Sequence, residues 1–173
     1  MTSYMTPAQL NLTQQNFDNL VTLANFLEGH VTDDKFNMGL YATSFTSLRP
    51  NECNTAACAA GWSIAAGIES DYSQQFTGDP ILFYWHQHIS ESLLPNGNDN
   101  RNNAREWMFA AKWQVSNVLS TVEAAVLRIR YFLENGLPNG SWNPRNTYRL
   151  LTVAYDNPVF DAKHLIYRRS LDV

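Results

Sequence analysis

The stretch Asn51-Glu52-Cys53-Asn54-Thr55-Ala56-Ala57-Cys58-Ala59-Ala60-Gly61-Trp62 holds both cysteines of the chain and its densest run of small side chains. Drawn as a helix, it carries Ala, Gly or Cys on almost every side, so it has no polar face to turn toward water. A segment of this kind has to be surrounded by other elements, and its small side chains let neighbouring helices approach closely. Asn54 and Thr55 are both suited to the N-cap, and the run from Ala56 is the best helix former in the chain, reaching at least Ile64 before Gly67. Trp62 then fills a gap that the alanines leave. The pattern predicts a buried Ala/Cys-rich helix at the centre of the fold.

The candidates to surround it are amphipathic. From Thr13 onward, Phe17, Leu20, Val21, Ala24 and Leu27 recur at steps of three and four, which places them on one helical face that Gly29 can end. Residues 1–12 read as a loose lead-in, with Pro7 able to start a helical turn behind Thr6. Asn103 and Glu106 form a capping pair ahead of Ala104, Trp107, Met108 and Ala111, and Lys112 suits the end of that helix. The clearest helix has Ser120 and Glu123 as an S-x-x-E capping box. Its buried stripe is Val122, Ala125, Val126, Ile129, Phe132 and Leu133, and Gly136 with Pro138 stops it. Arg130 and Glu134 are spaced for an i,i+4 pair on its outer side. Two shorter helices are expected over 146–155 and 158–168.

Between these lie segments of a different kind. Phe36, Met38 and Leu40 alternate, which fits a short strand or an irregular arm. The aromatic run Ile81 to Trp85 fits either a strand or a buried helical turn. Residues 95–103, Pro-Asn-Gly-Asn-Asp-Asn-Arg-Asn-Asn, have no core-forming side chain and read as an exposed Asn-rich loop.

Composition narrows the class. With 173 residues, 45% hydrophobic and only 16% charged, residues 1–173 are read as a single mainly α domain, a helical bundle with at most a minor β element. A net charge of −4 with scattered Lys and Arg argues against general nucleic-acid binding. No run of eighteen apolar residues is present, so no membrane span is expected. The first twenty residues lack the charged and apolar regions of an export signal, which points to the cytoplasm and to reduced cysteines rather than a Cys53–Cys58 bridge.

Three segments together carry a resemblance. The run from Cys53 to Trp62 resembles the C-G-T-x-x-C-x-x-G-[HW] signature of uncharacterised proteins from bacteria and tailed phages, with Asn54 where those proteins have Gly. Phe36-Asn37-Met38 is similar to their F-x-M element, and Trp107-Met108-Phe109 with Trp113 to their W-x-x-F segment. Arg128 to Gly136 matches their R-I-x-x-[FL]-L-x-x-G helix. The resemblance implies a helical fold and a phage or bacterial setting, with no activity attached.

Of the chemistry-bearing side chains, Cys58 is the sharpest candidate. With Thr55 as N-cap it falls in the first helical turn, where the dipole favours a thiolate. The competing reading is a small buried hydrophobe. His86 and His88 are the candidate bases; two apart, they share a face on a strand and not on a helix. Cys53 and Cys58 are the only partners with which these histidines could bind a metal, and the spacing matches no zinc motif, so no metal and no cofactor are expected. Phe83, Tyr84, Trp85, Trp107 and Trp113 are read as core before pocket. The leading expectation is therefore an accessory protein, of phage origin, that binds a host or phage macromolecule. The alternative is a cysteine-dependent hydrolase or transferase using Cys58 with His86 or His88.

Overall fold

The computed structural model describes residues 3–37, 58–68, 104–109, 113, 119–138 and 144–155. Among these the regular structure is helical: α1 (Gln14–His30), a 3-10 turn (Asp33–Lys35), α2 (Ala59–Ala65), α3 (Ala104–Phe109), α4 (Val122–Asn135) and α5 (Pro144–Tyr155). The mainly α class expected from the sequence holds. Phe36 makes an isolated β-bridge, and no strand occurs among the described residues. The 158–168 helix, the Ile81 to Trp85 run, the 95–103 loop and Lys112 lie outside the described residues.

Thr13 caps α1 by accepting a hydrogen bond from the Asn16 amide at 3.2 Å. Leu20, Leu23, Ala24 and Leu27 are buried, while Phe17 and Val21 are half-buried at the edge of the same stripe. Gly29 does not end the helix. The chain continues through His30 and leaves at Val31, which turns extended while its amide still donates to Leu27. Burial of Val31 in the core sets the stop, and the conformational freedom of Gly29 goes unused.

Residues 5–12 are not a loose lead-in. Thr6 and Gln9 exchange backbone-to-side-chain hydrogen bonds in a T-P-A-Q capping box, which starts a turn that closes at Asn11 with φ 52°. Leu10 and Leu12 are thereby delivered into the core, and the Met5 amide donates to the Leu133 carbonyl at 2.8 Å. Burying each leucine contributes about 1.5–3 kcal/mol, which offsets part of the conformational entropy lost in ordering the segment.

In α2 the expected start moves: Cys58 itself is the extended N-cap residue, and Ala59 is the first helical position. The end is a Schellman motif. Ile68 donates to Ser63 and Gly67 to Ile64, both at 3.0 Å, with Gly67 at φ 77° and Ile68 folded back into the core. Ala59 to Ser63 are buried as the all-small pattern requires, and α2 packs on α1 and α3. The broader organising role belongs to α4, which packs against α1, α3 and α5.

The stripe expected for α4 is buried at every position, and Gly136 at φ 73° ends it by donating to Phe132. The cap is one residue later than the S-x-x-E pattern places it: Thr121, not Ser120, accepts from the Ala124 amide at 3.2 Å. Val122 is supplied separately, its amide donating to Asp33 Oδ1 at 2.9 Å from 89 residues away. This second contact ties the 3-10 turn that follows α1 to the beginning of α4. Pro144 opens α5, where a missing amide is harmless, and Leu151 reaches the common core.

Candidate functional site

Cys58 has 4% of its surface exposed and sits among Ala59, Ala60 and Trp62 in the hydrophobic core. At the N-cap, rather than in the first turn, its side chain makes no capping hydrogen bond. The seven-residue helix that follows brings little dipole to it. Cys53, His86 and His88 lie outside the described residues, so the described geometry does not include their approach to Cys58. His30 is exposed at the end of α1 and stacks on Phe26 with ring centroids 4.9 Å apart. Among the described residues, no three of His, Cys, Asp and Glu gather in a way that could hold a metal ion.

The densest polar construction in the core is built on α3 and α4. Trp107 Nε1 donates to the Arg128 carbonyl at 2.9 Å, and Trp113 Nε1 donates to the Trp107 carbonyl at 2.9 Å. The two indoles meet edge to face with centroids 6.0 Å apart, and the Arg128 guanidinium lies 5.1 Å from the centre of the Trp113 ring. Nη1 of Arg128 donates to the Leu119 carbonyl at 2.8 Å, pinning the segment that leads into α4. Arg128 is fully buried. Burial pushes its guanidinium down to about 9, which still leaves it cationic at neutral pH. Trp107 and Trp113 are core, as the sequence suggests, but each also has a fixed hydrogen-bond acceptor that orients its ring.

Arg128 was not legible as a buried cation. The signal was nevertheless in the helical period: Thr121, Ala124, Ala125, Arg128, Phe132 and Leu133 fall on one face at steps of three and four, and all are buried.

On the surface, α1 and α4 are joined by a bidentate pair. Arg130 Nη1 and Nη2 donate to Glu28 Oε1 and Oε2 at 3.0 and 2.6 Å. The i,i+4 pairing of Arg130 with Glu134 expected from the sequence gives way to this contact, because packing of the two helices brings the carboxylate of Glu28 into the fork geometry of the guanidinium. Burial lowers the Arg130 pKa, but hydrogen bonding and charge from Glu28, with help from Tyr4, outweigh it and raise the value overall. Glu134 instead accepts the Tyr155 hydroxyl at 2.9 Å and holds the end of α5 on α4.

Between the end of α1 and the start of α4 lies a half-open groove of about 480 Å3. Val31, Val126 and Leu127 form its apolar part, and Glu28, Asp33, Glu123 and Arg130 its polar part. Glu28 is engaged by Arg130 and Asp33 by the Val122 amide. No helix among the described residues is long and apolar enough to cross a membrane. No protein-family model, no curated protein and no solved structure matches the chain.

Proposed function

We propose that this protein works by binding another macromolecule, as a non-enzymatic accessory protein of phage origin acting in the cytoplasm of a bacterial host. The observation that carries the reading is the burial of Cys58: a nucleophile must meet its substrate, and this residue sits in the hydrophobic core at the start of α2 with 4% of its surface exposed. That weighs against the cysteine-dependent hydrolase or transferase, whose bases would be His86 or His88, and favours a partner-binding role. The setting is supported by the resemblance of the Cys53 to Trp62 run and the Arg128 to Gly136 helix to bacterial and phage proteins.

Two measurements test the reading from opposite sides. Alkylation of Cys58 at pH 7 is expected to be far slower in native buffer than in urea; prompt alkylation of the folded protein revives the thiol enzyme. Capture from a bacterial lysate on the immobilised full-length chain should yield a partner that rebinds after purification. A bait that retains nothing specific at high concentration overturns the proposal.

A further inference from the structure

We draw no further inference here: the strongest candidate, the half-open groove between the end of α1 and the start of α4, has its Glu28 and Asp33 carboxylates engaged by Arg130 and the Val122 amide, and nothing in the structure shows what covers it.

Discussion

Arg130 and Glu28, 102 residues apart in the chain, meet as a fork: two guanidinium nitrogens donate to the two oxygens of one carboxylate. The pair bridges α1 and α4 with side chains 27% and 55% exposed, so water and salt reach it.

That exposure decides its magnitude. Arg130→Met and Glu28→Gln should each lower stability by no more than about 1 kcal/mol, with a similar upper limit on their coupling in a double-mutant cycle. Urea denaturation at low salt and in 1 M NaCl checks this, the coupling shrinking in high salt. A coupling of several kcal/mol that ignores salt would mean that the pair is buried in solution.

Arg128 should behave differently, because its partners are buried. Arg128→Met keeps much of the side-chain length but leaves the Leu119 carbonyl without the Arg128 Nη1 donor, at a cost of about 1–3 kcal/mol. Loss of the cation over the Trp113 ring should also alter tryptophan fluorescence. An unchanged urea midpoint together with an unchanged emission spectrum would sink this account of the Arg128 node.

The start of α4 offers a choice between two neighbouring residues. Thr121→Ala should cost about 1 kcal/mol, the usual value for a lost N-cap, whereas Ser120→Ala should stay within about 0.5 kcal/mol. Reversal of that order in chemical denaturation would restore the S-x-x-E box as the true cap.

Two glycines should respond with opposite sign. Gly29 lies within α1 with nothing within 4 Å of an added Cβ, so Gly29→Ala should stabilise by about 0.5–1 kcal/mol. Gly136 has φ 73° and ψ −161°, a region nearly closed to other residues, so Gly136→Ala should destabilise by about 1–3 kcal/mol. Thermal melts of both variants measure the difference, and equal shifts in the two would contradict the backbone geometry.

Alkaline pH should weaken the fold. Burial, then the Glu134 hydrogen bond, raises the Tyr155 pKa above its ordinary value, and burial also raises that of Tyr131. Each favours the neutral phenol in the folded state, so its contribution is fully present below about pH 10 and is lost as pH rises beyond it. Urea midpoints between pH 8 and 11 should fall, and Tyr155→Phe should flatten the slope; an identical slope in that variant would remove Tyr155 as a cause.

The sequence by itself determined the helices, and the reason is range. A helix depends on residues no more than four positions apart, so the stripe of α4, the stop at Gly136 and the buried small residues of α2 could all be inferred from local pattern. Even there the local rules left shifts of one or more residues, as at Thr121 and Cys58, since adjacent residues offered competing caps. Tertiary structure alone decided that Arg130 takes Glu28 rather than Glu134, that the Asp33 carboxylate accepts from the first amide of α4, that Leu10 and Leu12 draw their segment into the core, and that Arg128 is enclosed beside Trp113. Each of those contacts joins residues on different elements or encloses a charge within several of them. No periodicity encodes which distant group will arrive, so only the packed chain, where burial strengthens or penalises each polar contact, selects among them.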